Sequence, residues 1–208
     1  MDFRRPLKQI RLAMYIIAGL LVLLWGTVLA IASVPRYSAQ MPNKYVEQVI
    51  KNGLSDVGKI EYTGRNDGKH IDRYARTVGM PLGSAYCYAA IYTWSSDAAH
   101  CQALSNPLPR TGSTQTAYSV ASKTFVASKY TSARRGDILI WRIPRKWLGH
   151  AALITRVRPD GLLETIEANT SRGGSGDQRD GGGVWTKRRF INRGLGRMIV
   201  RGLIGIGA

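Results

Sequence analysis

Two cysteines, three histidines and 13 acidic residues are all that a chain of 208 residues offers toward metal binding or acid–base chemistry. A structural zinc site draws on four Cys or His ligands at short, recurring spacings. Neither Cys87 nor Cys101 has such neighbours, so no metal is expected, and no cofactor. No Gly-Lys-Ser/Thr ending follows the glycines between Arg172 and Gly183, which excludes a phosphate loop there. That stretch holds six glycines, too many for a strand, and reads as a connection. No internal repeat appears, so solenoid and propeller architectures are excluded as well.

Base, by contrast, is plentiful. Thirty Lys and Arg give a formal net charge of +17, and the summed field of such a chain attracts anions. Nucleic acid, anionic lipid and anionic wall polymer all fit that field. The basic residues are scattered over the whole chain instead of gathering in one run, as nucleic-acid patches often do. No nucleic-acid partner is expected, and the charge is context for the motifs.

One long apolar run is present. Leu12 to Val34 is 23 residues without a charge, and a helix of that length crosses a hydrocarbon core of about 30 Å. Arg4, Arg5, Lys8 and Arg11 precede it, and short basic flanks stay on the cytoplasmic side. The expectation is a cytoplasmic flank at 1–11, a transmembrane signal anchor at 12–34, a linker at 35–43 and an exported domain at 44–201, with a tail at 202–208. Ala30-Ile31-Ala32 has the small residues of a cleavage site, but the apolar run exceeds the roughly 7 to 15 residues of a signal peptide's core.

Within the domain, apolar residues first recur at helical spacing. Tyr45, Val46, Val49 and Ile50 predict a helix from Lys44 with Gly53 as its stop. Ile71, Tyr74, Ala75 and Val78 predict a second, ended by Gly79. After a turn at Pro81 and Gly83, Ala85 to Ala99 reads as a buried helix with Cys87 in its first turn. From Asp137 the pattern changes to β-rich runs at Ile138–Arg142, His150–Val157, Leu162–Ala168, Gly183–Phe190 and Arg197–Val200. Helices followed by strands predict an α+β fold.

Cys87, His150, Glu167 and Asn169 are the candidate catalytic set. A helix N-terminus carries partial positive charge and free N–H groups, which favour thiolate over thiol, and the thiolate is the nucleophile. A disulfide from Cys87 to Cys101 is excluded if both ends of one helix hold them. Their separation of roughly 20 Å along its axis far exceeds the ~7 Å between Cα atoms that a bridge tolerates. His150 opens an apolar strand after Gly149, whereas His70 and His100 read as surface residues. Glu167 and Asn169 stand two apart on the next β-run, so they are expected to share a face and accept from one imidazole nitrogen while the other addresses Cys87.

Ala85-Tyr86-Cys87-Tyr88-Ala89-Ala90-Ile91-Tyr92-Thr93-Trp94, Gly149-His150-Ala151-Ala152-Leu153-Ile154 and Ile166-Glu167-Ala168-Asn169-Thr170-Ser171 resemble the CHAP branch of the NlpC/P60-like peptidoglycan hydrolases. Asp72-Arg73-Tyr74, Asn106-Pro107-Leu108-Pro109-Arg110-Thr111 and Arg135-Gly136-Asp137-Ile138 add to the resemblance, which covers roughly Lys44 to Arg201. It implies a papain-like cysteine hydrolase domain, N-terminal helices packed on an antiparallel sheet, after the transmembrane helix. It further implies cleavage of amide bonds in peptidoglycan on the periplasmic side of a bacterial inner membrane, with Cys87 as nucleophile, His150 as base, and Glu167 with Asn169 orienting it. The Asp-Cys-Ser-Gly signature of the NlpC/P60 branch and the Asp-rich calcium loop of some CHAP domains are absent. Tyr86 and Tyr88 are candidates to supplement an oxyanion hole, and Trp147 is the candidate cleft wall. Peptidoglycan is the expected partner, with an envelope-spanning machine or a lysis system as further settings. The competing expectation is a catalytically silent, membrane-tethered wall-binding protein on the same scaffold.

Overall fold

The computed structural model describes residues 34–128, 133–173 and 181–207. Four helices are present among them: α1 (Asn43–Asp56), α2 (Lys69–Val78), α3 (Cys87–Cys101) and α4 (Thr114–Thr124). In α1, Tyr45, Val46, Val49, Ile50 and Gly53 make one buried stripe, and in α2 Ile71, Tyr74 and Ala75 do the same. Gly79 ends α2 in the left-handed conformation, at φ 78°, where glycine carries no Cβ penalty. α3 is apolar nearly all round and accordingly buried along its length. α4 was not foreseen; its start is marked by Ser113, whose side chain accepts from the Thr116 N–H.

Seven strands follow the order β2-β1-β7-β3-β4-β5-β6 in one sheet. They are β1 (Arg36–Ser38), β2 (Val126–Ser128), β3 (Ile138–Arg142), β4 (Gly149–Val157), β5 (Leu162–Thr170), β6 (Gly183–Phe190) and β7 (Ile199–Gly205). The central strands read as unbroken apolar runs because both faces are covered. Ile138, Ile140, Ala151, Leu153, Ile166 and Ile204 pack under the helices. Leu139, Trp141, Ala152, Ile154, Leu163 and Leu203 form a second cluster with Ala133, Ile191 and Met198.

The helical layer is tied by a buried carboxylate. Asp56, at the end of α1, accepts from the Tyr74 hydroxyl at 2.6 Å and the Trp94 indole at 2.7 Å, and pairs with Lys59. Burial opposes its charge, but these donors together hold it below the ordinary Asp range. Gly53 lies inside α1 and does not stop it. A Cβ there would come within 3.1 Å of both Trp94 and Ile166, so glycine lets α1 close onto α3 and β5.

Three expectations are corrected. The sheet is mixed and not antiparallel throughout: β1 runs parallel to β7 and antiparallel to β2. No helix among the described residues is long and apolar enough to cross a membrane, and of the apolar run Leu12–Val34 all but Val34 lies outside them. The segments expected as linker and tail belong to the fold. Arg36 is buried and its guanidinium grips Asp137 at 2.9 Å and the Gly207 carbonyl at 3.1 Å, while Ser38 donates to Gly207 at 2.7 Å. Burial raises the Asp137 carboxyl, against the pull of Arg36. A desolvated pair of this kind can form only where both charges are enclosed together, so β1 is locked into the sheet.

Candidate active site

Cys87 is the first residue of α3, and the preceding residue Tyr86 supplies no side-chain cap. The first N–H groups of the helix are therefore left to face whatever lies beside Cys87, with the positive end of the helix dipole behind them. The thiol is nearly buried but opens on a cleft of about 210 Å³, lined also by Met80, Ala85, Ser113, Trp147 and Gly149. Cys101 stands exposed at the far end of α3, and both thiols are free, as expected.

His150 is fully buried near the start of β4. Gly149 is what permits the close approach there, since a Cβ would collide with the Trp141 carbonyl and the Gln115 amide. Gln115 in turn donates to that carbonyl at 2.8 Å and accepts from Arg201 at 2.7 Å. The Trp141 ring lies 5.8 Å from the imidazole, centroid to centroid, so the ring is braced on its strand.

Nε2 of His150 meets Oε2 of Glu167 at 3.0 Å, and both side chains are fully buried. Glu167 is saturated on the other sides. Arg189 donates from Nε to Oε1 at 2.8 Å and from Nη2 to Oε2 at 2.7 Å, a bidentate clamp, and the Thr165 hydroxyl donates to Oε1 at 2.8 Å. Burial alone would raise this carboxyl; His150 and Arg189 override it and hold Glu167 at about 2. Burial likewise opposes charge on His150, but Cys87 and then Glu167 outweigh it and raise the imidazole to about 9.

The other ring nitrogen, Nδ1, is buried and has no aligned hydrogen-bond partner. Cys87 nonetheless couples strongly to this ring. Cys87 thus influences the imidazole, while Nδ1 itself makes no hydrogen bond at rest; catalytic hydrogen bonds are often long in unliganded sites.

Of the expected residues, Cys87, His150 and Glu167 come together. Asn169 is buried close in sequence but takes no hydrogen bond from the imidazole. It sits at a register shift between Ala168 and Thr170 with φ 58°, and that bulge breaks the alternation on which a shared face with Glu167 rested. Tyr86 and Tyr88 are corrected outright: both are fully buried, Tyr86 donating to Glu61 at 2.9 Å and stacked on Tyr74, Tyr88 pointing to the Pro109 carbonyl at 3.4 Å. Trp94 and Trp141 are core residues too. Trp147 is 63% exposed, lines the Cys87 cleft, donates to Thr116 at 3.2 Å and carries the Arg201 guanidinium over its ring at 5.8 Å. Arg189 and Thr165 escaped sequence reading. Their only signal was alternation along strands whose pairing was unknown.

Fold and site together define an α+β protein with a thiol, an imidazole and a carboxylate in series, the carboxylate clamped by arginine. No family model matches the chain, and neither a curated protein nor a solved structure is found similar to it. The likeness to CHAP-type hydrolases rests on the motifs themselves.

Proposed function

We propose that this protein is a cysteine hydrolase that cleaves amide bonds of peptidoglycan, as a muramoyl-alanine amidase or a peptide endopeptidase, on the extracytoplasmic side where that polymer lies. The observation that carries the reading is the series Cys87, His150, Glu167 beside an open cleft. Such an array supports thiolate attack on a carbonyl, giving a tetrahedral oxyanion and then an acyl-enzyme with release of the amine. His150, kept charged by Glu167, protonates the leaving amine and, once neutral, draws a proton from the water that hydrolyses the thioester. The uncapped N–H groups at the start of α3 are suited to the oxyanion, without the supplement expected of Tyr86 and Tyr88. Trp147 beside Cys87 suits a flat sugar or peptide face.

The test is incubation of the full chain and its Cys87→Ala variant with insoluble peptidoglycan, followed by mass spectrometry of released fragments. Fragments that appear only with Cys87 support the hydrolase, and their new termini distinguish amidase from endopeptidase. Equal release by Cys87→Ala sinks it. Equal wall binding with no release by either favours the silent wall-binding protein.

A further inference from the structure

Of the tryptophans among the described residues, Trp147 alone is exposed. Leu148 beside it is 48% exposed, and both line the Cys87 cleft. Large apolar side chains left together at the rim of a cleft mark a contact site. In a chain of net charge +17, this cleft is lined by no lysine, arginine, aspartate or glutamate. It suits an uncharged group.

Trp147 sits in the turn between β3 and β4, closed by the Ile143 N–H on the Leu148 carbonyl at 2.9 Å and the Lys146 N–H on the Ile143 carbonyl at 3.1 Å. Its indole N–H is anchored on the Thr116 hydroxyl at 3.2 Å, which leaves the plane of the ring to be set by a second support. Arg201 supplies that support. From β7 its Nη1 donates to two oxygens of Gln115, the backbone carbonyl at 3.0 Å and Oε1 at 2.7 Å, so the guanidinium is fixed on α4. It lies 4.5 Å from the Tyr118 ring and 5.8 Å from the Trp147 ring, both within the roughly 6 Å reach of a cation–π contact. Burial, the largest influence, disfavours this charge, and Arg142 adds to it against the pull of Tyr118. No carboxylate among the described residues pairs with it. The cation therefore spends its contacts on Gln115, Tyr118 and Trp147, and of these three only Trp147 lines the cleft.

We propose that Arg201 is a positioning residue for substrate binding: it sets Trp147 as a rigid platform at the mouth of the Cys87 cleft, where the ring stacks on an uncharged, flat segment of the wall polymer. The identity of that polymer rests on the hydrolase reading. A sugar ring and a peptide plane of peptidoglycan share the required chemistry, an uncharged face that sheds water against an aromatic ring. A side chain held in place before binding loses less rotamer freedom on binding, which is worth roughly a three- to tenfold gain in affinity.

The experiment uses the ¹⁵N-labelled full chain and follows the indole N–H signal of Trp147, assigned by its loss in Trp147→Phe. Arg201→Met removes the charge and the planar fork, and Arg201→Lys keeps the charge without the fork. Heteronuclear relaxation should read a rigid Trp147 indole in the unmodified chain and a mobile one in Arg201→Met, with Arg201→Lys between them. The Trp94 indole, anchored on Asp56 at 2.7 Å, should stay rigid in all three. A Trp147 indole that stays rigid in both variants, or that loosens only together with Trp94, overturns the proposal. Binding is then titrated calorimetrically in the Cys87→Ala background, which prevents turnover, with a peptide-free glycan strand and a sugar-free stem peptide as probes. Arg201→Met should weaken binding roughly three- to tenfold, Trp147→Ala at least as much, and Arg201→Met should add nothing in the Trp147→Ala background. A full penalty in that background, or saturable binding of neither probe, overturns the proposal, and the probe that binds identifies the segment. Fragment release by the unmodified chain is read separately. If no Cys87-dependent fragments appear while the relaxation and binding results hold, the hydrolase reading falls and the platform stands.

Discussion

Replacing Glu167 by glutamine preserves the shape of the side chain and removes its charge. His150 would then keep a hydrogen-bond acceptor near Nε2 but lose the carboxylate that meets it at 3.0 Å, and Arg189 would lose the charge of the carboxylate it clamps. Burial, the largest influence on this imidazole, opposes its charge and would be less well resisted. A hydrogen bond to a charged group is worth about 1.5 to 3 kcal/mol, and each pH unit of titration corresponds to about 1.4 kcal/mol. Glu167→Gln should therefore lower the His150 midpoint from about 9 by roughly one to two pH units. The measurement is the pH dependence of imidazole ¹⁵N signals by NMR, with His150 assigned by its loss in His150→Gln. On the proposed mechanism, in which the imidazolium protonates the leaving amine, the alkaline limb of wall cleavage should move with it. A folded Glu167→Gln protein with an unchanged or raised midpoint would refute the claim that Glu167 governs the base.

The same carboxylate predicts acid behaviour. Its folded-state value of about 2 lies below its ordinary 4.5, so its contribution to stability is present in full above about 4.5 and is lost as pH falls toward 2. Urea unfolding of the unmodified chain should weaken over that interval, and Glu167→Gln should show a smaller slope there. Arg36→Ala strands a buried Asp137 and should cost about 3 to 5 kcal/mol by urea denaturation, whereas an Arg36→Met, Asp137→Leu double substitution should recover much of it. Gly149→Ala places a methyl against the Trp141 carbonyl and the Gln115 amide. It should cost about 1 to 3 kcal/mol and lower cleavage more than stability, because the strand start that aims His150 must shift.

Local physics in the sequence determined a good part of this protein. Helical periodicity located α1 and α2, an all-round apolar stretch located α3 with Cys87 at its first turn, and apolar β-runs located β3 to β6 within about two residues. The pairing of His150 with Glu167 was legible because both are rare residue types in telling local settings. What stayed illegible depends on contacts distant in sequence. β1 is three residues long and became a strand only by entering between β2 and β7, with Arg36 reaching 101 positions ahead to Asp137. Tyr86 and Tyr88 flank Cys87 in sequence, yet both side chains are buried in the core. Asn169 stands two positions from Glu167, but a bulge redirects it. Arg189 holds Glu167 because β5 and β6 pair in one register, and a register is a property of two strands meeting, which neither strand carries alone.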